Sequence, residues 1–311
     1  MGMEQIKKNR SRTHYRNYVN EKLTGNITRN LNRLERFISL EVIEKEIIVL
    51  RELKVLFRRL YGEESDESVK VLTELGNVLK YVGKFEEAIR HLSKVEKIVL
   101  KNYGENTMAF VTCNANLAEV YRTMKKYEEV EEKYFKAVKV YKKNNFRNGY
   151  VFSGICNNLG LFYEENERYQ DSIKWQQKSL EILEKLENNQ IQKAVILSNM
   201  VKPYVKLGEK KLAKSITDES LEILSNEAGE NSNLYLNIIN NLANVYFESN
   251  SYKKSLVLLE KCEEVCKNVL GTENENYKNI LEKISIVRKE IEKHKMEQYV
   301  WKDQIVKKLK S

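Results

Sequence analysis

Leu117-Ala118-Glu119-Val120-Tyr121 returns 42 residues later as Leu159-Gly160-Leu161-Phe162-Tyr163. The same figure stands earlier at Leu75-Gly76-Asn77-Val78-Leu79. It recurs at Met200-Val201-Lys202-Pro203-Tyr204 and Leu242-Ala243-Asn244-Val245-Tyr246, so the spacings are 42, 42, 41 and 42. About ten residues after each start lies Phe85, Tyr127, Tyr169, Lys210 or Tyr252. Three residues further on come Ala88, Val130, Ser172, Ala213 and Ser255, and seven beyond those come Val95, Ala137, Ser179, Ser220 and Cys262. A loop signature keeps the same beat: Tyr61-Gly62-Glu63-Glu64, Tyr103-Gly104-Glu105-Asn106, Ala228-Gly229-Glu230-Asn231 and Leu270-Gly271-Thr272-Glu273-Asn274.

The figure places a large residue, a small one and an aromatic on one face of a first helix. The small residue lets a second helix approach closely. On that second helix apolar and small residues recur at helical spacing, as in Tyr169, Ser172, Ile173, Gln176, Leu180 and Leu183. Gly83 and Gly208 stand where a first helix must end and turn. Each unit is therefore a helical hairpin with an apolar face that it cannot bury alone, and stacked neighbours bury it. The predicted fold class is all-α: a solenoid of stacked antiparallel helix pairs.

Composition agrees. The 311 residues contain one Pro and 12 Gly, too few breakers for a turn-rich β sandwich or barrel. Apolar residues make up 41%, enough to bury a core. No run of 18 apolar residues is present, so no membrane-spanning helix is expected, and the N-terminus lacks the apolar segment of a secretory signal. The net charge of +9 is uneven: 14 Lys/Arg against 7 Asp/Glu in residues 1–60, 30 against 33 in 61–275, and 10 against 5 in 276–311. The positive excess sits at the two ends, whereas a nucleic-acid-binding solenoid spreads it along a face.

The series L-G/A-x-x-Y, then A-x-x-x-F, then A, resembles the tetratricopeptide repeat over about residues 68–270. The period here is about 42 rather than about 34, roughly one added turn per helix. Asn157-Asn158-Leu159-Gly160, Asn240-Asn241-Leu242-Ala243 and the Gly-acidic loops look like the kinesin light chain type. The Pro that usually closes a repeat and the His-Pro of the kinesin light chain loop are absent, and Lys210 replaces an aromatic. The resemblance implies a right-handed superhelix and a protein-binding role. The expected organisation is a basic, disordered arm at 1–20, a degenerate N-terminal repeat or cap at 21–66, five repeats at 67–274, and a capping helix with a basic amphipathic tail at 275–311.

The resemblance also implies a peptide-binding groove on the concave surface, built from the first helices. Its positions fall two before, two after and five after the leading Leu. They are Thr73, Asn77 and Lys80; Ala115, Glu119 and Arg122; Asn157, Leu161 and Glu164; Ser198, Lys202 and Val205; Asn240, Asn244 and Phe247. An Asn amide both donates to and accepts from an extended peptide. Arg122 and Lys202 are the cations expected to meet a ligand of acidic character. Thr73 and Glu119 stand where a clamp for a C-terminal carboxylate places Lys and Asn, so an internal peptide is expected. The alternative reading of the whole set is an ordinary solvated helix face.

No catalytic residue is expected. His14, His91 and His294 are isolated, and no phosphate loop, HExxH or GxSxG occurs. No cofactor or metal is expected, since Cys113, Cys156, Cys262 and Cys266 form no CxxC and read as small core residues of a reducing compartment. Pro203 inside a first helix removes one hydrogen bond and is expected to bend it. The arm Lys7-Lys8-Asn9-Arg10-Ser11-Arg12 reads as a solvated tail, a nuclear signal or a nucleic-acid contact, and the stripe Trp301, Ile305, Leu309 as part of the cap, a partner surface or a contact with an anionic membrane. The functional expectation is a cytoplasmic, non-enzymatic scaffold or adaptor. Two alternatives stand beside it: a peptide-sensing regulatory receptor, and RNA binding through the basic ends.

Overall fold

The computed structural model describes residues 40–144, 146 and 149–310, with side chains from 43 to 297. Among these residues there are twelve helices and no strand: α1 (Leu40–Tyr61), α2 (Asp66–Tyr81), α3 (Phe85–Tyr103), α4 (Met108–Thr123), α5 (Tyr127–Asn144), α6 (Gly149–Glu165), α7 (Tyr169–Leu183), α8 (Gln190–Lys206), α9 (Lys210–Glu227), α10 (Asn233–Glu248), α11 (Tyr252–Leu270) and α12 (Glu275–Lys310). The basic arm at 1–20 and the adjoining residues to 39 lie outside the described residues, as do the side chains of the stripe Trp301, Ile305, Leu309.

Every helix packs on its chain neighbour, and the first helices of successive pairs, α2, α4, α6, α8 and α10, also touch one another in order. The second helices make no comparable contact among themselves. The first helices therefore crowd to the inside of the stack and present one continuous inner face. At the two ends, α1 packs on α2 and α12 on α11.

The recurring columns are the core. Leu75, Leu117, Leu159, Met200 and Leu242 are all buried, and so are Ala88, Val130, Ser172, Ala213 and Ser255. The small residue of each figure sits where the second helix crosses. An added Cβ on Gly76 would stand 2.6 Å from Leu92 Cγ, and one on Gly160 would stand 2.4 Å from Gln176 Cγ. Leu92 and Gln176 each lie 16 residues after their glycine. The equivalent pairs Ala118 with Tyr134, Val201 with Thr217, and Ala243 with Leu259 are also buried. The two glycines face Leu or Gln, and the larger Val201 stands with the smaller Thr217, whereas Ala118 and Ala243 stand with Tyr134 and Leu259.

The Gly-acidic loops explain themselves by capping. Gly62, Gly104 and Gly229 take φ of 94°, 76° and 79°, a left-handed turn that glycine adopts without strain. Three residues later Ser65, Thr107 and Ser232 accept the backbone N–H of Ser68, Phe110 and Tyr235, each at 3.2 Å, and so start α2, α4 and α10. One short signature thus ends one hairpin and begins the next. Pro203 is buried within α8, which continues through it to Lys206.

The crossing yields a prediction. Gly160→Ala removes the helix penalty of glycine, worth roughly 1 kcal/mol in favour. It also overpacks the crossing at a cost of about 1–3 kcal/mol. The expected net result in thermal and denaturant unfolding is destabilisation, relieved when Gln176→Ser is added.

Candidate functional site

The inner face carries the residues expected for a groove. Asn77, Lys80, Glu119, Arg122, Asn157, Leu161, Lys202, Asn240, Asn244 and Phe247 are all half-buried and lie on first helices. Val205 differs: it is buried in the core, because its turn of α8 faces the neighbouring helices. The Phe247 ring is shared with the core, with its centroid 5.5 Å from that of Tyr252.

The polar members are tied to one another across repeats. Arg122 on α4 reaches Glu119 on its own helix at 3.0 Å and Glu165 on α6. Tyr134 comes from the second helix α5. It is fully buried, and its hydroxyl donates to Glu119 from beneath the face. Burial would raise the Glu119 pKa, but Arg122, Tyr134 and Lys80 together hold it below the ordinary carboxylate value. The Arg122 guanidinium is held charged by the same carboxylates against the effect of burial. One repeat on, Lys202 lies 3.2 Å from Glu164, and Glu164 outweighs burial in keeping the ammonium charged. Arg122 and Lys202 are thus both bonded to carboxylates of this chain. Lys80 forms no hydrogen bond or ion pair to any described residue. Burial lowers its pKa, and its ammonium lies 4.9 Å from the Tyr81 ring centroid.

The asparagines show a second regularity. Lys283 on α12 donates to Asn240 Oδ1 at 3.1 Å and Asn244 Oδ1 at 3.2 Å. An ammonium can only donate, so both amides turn their oxygens to it. Asn157 Oδ1 accepts from Asn199 Nδ2 at 3.0 Å. The amide NH2 groups of Asn157, Asn240 and Asn244 donate to no described residue.

Between α6, α8 and α10 the face deepens into a cleft of about 250 Å³, lined by Leu161, Glu164, Ser198, Asn199, Lys202, Asn241, Asn244 and Glu248 among others. Burial raises the pKa of Glu164 and of its neighbour Glu165, which disfavours their charged forms.

Glu165, Asn199, Asn241, Glu248 and Lys283 escaped the sequence reading. They occupy positions one before and six after the leading residue, which the 3.6-residue period brings to the same face. The signal was present: Asn116, Asn158, Asn199 and Asn241 form a column immediately before that residue in four consecutive repeats.

Other chemistry is sparse. Among the described residues no group of His, Cys, Asp and Glu is arranged to hold a metal ion, and no helix is long and apolar enough to cross a membrane. The four cysteines are free and buried, and burial pushes the thiols of Cys113, Cys156 and Cys262 up to about 12.

Removing the Arg122 charge strands Glu119. Arg122→Gln is expected to cost about 2 kcal/mol at neutral pH. A carboxylate whose folded pKa is depressed contributes stability above its unfolded pKa and loses it as pH falls through the folded value. The difference between wild type and variant should therefore be full above the ordinary glutamate value and shrink below it, as read by denaturant unfolding across that range.

Comparison with known proteins fits this architecture. A family model described as tetratricopeptide repeat matches residues 67–143, and a second of the same description matches 154–189 and 236–276. The unmatched stretch 190–235 contains Pro203 and Lys210, yet it folds as the same hairpin, α8 with α9. No curated protein matches the chain. Among solved structures, the nearly identical TPR-like repeats of kinesin light chain type from Podosopora anserina align with 17% identity and a TM-score of 0.54, covering 65% of this chain and 96% of that one. Aspartyl phosphate phosphatase F of Bacillus subtilis aligns with 14% identity and a TM-score of 0.55, covering 84% and 68%. A Rap protein complexed with competence and sporulation factor aligns with 14% identity and a TM-score of 0.53, covering 81% and 72%. At these identities the likeness is one of fold.

Proposed function

We propose that this solenoid of tetratricopeptide repeats is a non-enzymatic scaffold whose inner groove holds an extended peptide segment of a partner protein. One observation carries the reading. Asn157, Asn240 and Asn244 of the inner face spend their oxygens within the chain, and their NH2 groups donate to no described residue. Such a face presents donors at intervals along the stack, and an extended peptide presents carbonyl acceptors. The cleft between α6, α8 and α10 gives one side chain of the segment a seat beside Leu161.

The acidic character expected of the ligand moves to a different cation. Arg122 and Lys202 already neutralise Glu119, Glu165 and Glu164, so they offer an incoming carboxylate little. Lys80 feels Glu119 only at a distance, is bonded to no carboxylate and is half-buried, so it is the groove position assigned to an acidic side chain. Free, buried cysteines suit a reducing compartment such as the cytoplasm.

The test uses a photo-crosslinking residue placed at Leu161 in the groove and, separately, at the exposed Lys174 on α7. Crosslinks from Leu161 to one defined partner segment, absent from Lys174, are the expected result. That segment, made as a peptide, should bind the Asn157→Ala, Asn240→Ala double variant about tenfold more weakly. Lys80→Gln should lower the affinity only of segments that carry an acidic residue. Crosslinks from Lys174 alone would place the working surface on the second helices and end this reading.

A further inference from the structure

Away from the inner face, α1 and α3 flank the start of α2 and enclose a pocket of about 160 Å³. Lys54 and Arg58 from α1 line it, with His91 and Lys94 from α3. Val55 and Leu72 add apolar wall, and Glu63 is its one carboxylate. Three permanent cations thus face one anion, and that anion is bonded to Lys94. Glu87, next to the pocket, is held by Arg51 at 3.0 and 2.9 Å. Lys54 and Arg58 form no hydrogen bond or ion pair with any described residue.

The fourth group is the more telling. His91 Nε2 is buried and has no hydrogen-bond partner; the nearest acidic oxygen, Glu87 Oε1, lies 3.6 Å away. A buried polar atom without a partner is costly and is uncommon in folded chains. Other atoms of the His91 ring line the pocket, so the imidazole sits in its wall beside the two unpaired cations and reports on any charge placed there.

The geometry points to an anion site, and the anion is a phosphoryl group. The guanidinium fork of Arg58 and the ammonium of Lys54 together ask for three acceptor oxygens and more than one negative charge. A carboxylate brings two oxygens and one charge, whereas a phosphoryl group brings three oxygens and nearly two charges. The volume is below the roughly 300 Å³ at which drug-sized sites begin, so the pocket takes the phosphoryl group and its linking atoms rather than a nucleotide. Val55 and Leu72 offer contact to whatever carries the group. The pocket and the inner groove share only α2: its charged lining comes from α1, α3 and the loop at Glu63, and no groove residue lines it.

The experiment titrates the full chain with inorganic phosphate and with a blocked Ala-phosphoserine-Ala peptide, following the imidazole signals by NMR. Both probes should shift His91 and raise its titration midpoint, since a bound dianion favours the imidazolium, while His294 stays unmoved. Lys54→Gln with Arg58→Gln should weaken binding about a hundredfold, about tenfold for each lost charge-assisted contact. Asn157→Ala in the groove should leave it unchanged. Circular dichroism and the melting temperature establish that the double variant is folded. Tighter binding of the peptide than of phosphate would assign the site to a phosphorylated side chain; equal binding would assign it to the free ion. Either supports the site. No movement of His91 with either probe, or equal affinity in the folded double variant, would overturn it.

Discussion

The fold depends on how closely the two helices of each hairpin cross. At that crossing the first helix contributes a small residue and the second passes a side chain over it, as Gln176 does over Gly160 and Leu92 over Gly76. Close-packed interiors leave no slack for an extra methyl group, so volume on one side sets volume on the other. The pair Val201 with Thr217 keeps that balance with different residues, while the buried Ala118 and Tyr134 are both larger than Gly160 and Gln176. Because each hairpin still exposes an apolar face, the crossing makes a unit that is stable only in a stack. The first helices then draw together and form the inner face.

The same crossing reaches the candidate site. Tyr134 is fully buried with its hydroxyl on Glu119, so a residue of the second helix supports the groove from below. Glu119 in turn orients Arg122, which extends to Glu165 in the next repeat. Groove chemistry is therefore coupled to core packing, and substitutions at Arg122 report on stability before they report on binding. At the C-terminal end Lys283 of α12 takes up the oxygens of Asn240 and Asn244, so the last helix closes the inner row and fixes those two amides.

The repeat, the helix pairs and the buried columns were legible in the sequence because each column answers to a local packing demand repeated every 41 or 42 residues. Leu159, Ser172 and Ser179 are buried as their spacing required. The inner position of the groove residues followed from the same register. What was not legible is which of them are already engaged. Arg122 and Glu165 are 43 residues apart, as are Asn240 and Lys283, and no local pattern announces such a pair. Val205 went to the core for a related reason. Its position was assigned by counting from Met200, yet which side of the last turn of α8 meets the neighbouring helices is a tertiary matter. The phosphoryl pocket was invisible in the sequence, since Lys54, Arg58 and His91 come together only once α1 and α3 have packed around α2.

The central claim is that the row of first helices is the surface that holds a partner. Hydrogen–deuterium exchange of the full chain, with and without its bound partner segment, tests it most directly. The account predicts slowed exchange in α6, α8 and α10, where the cleft lies, with α5, α7 and α9 unchanged. Protection confined to the second helices would contradict it.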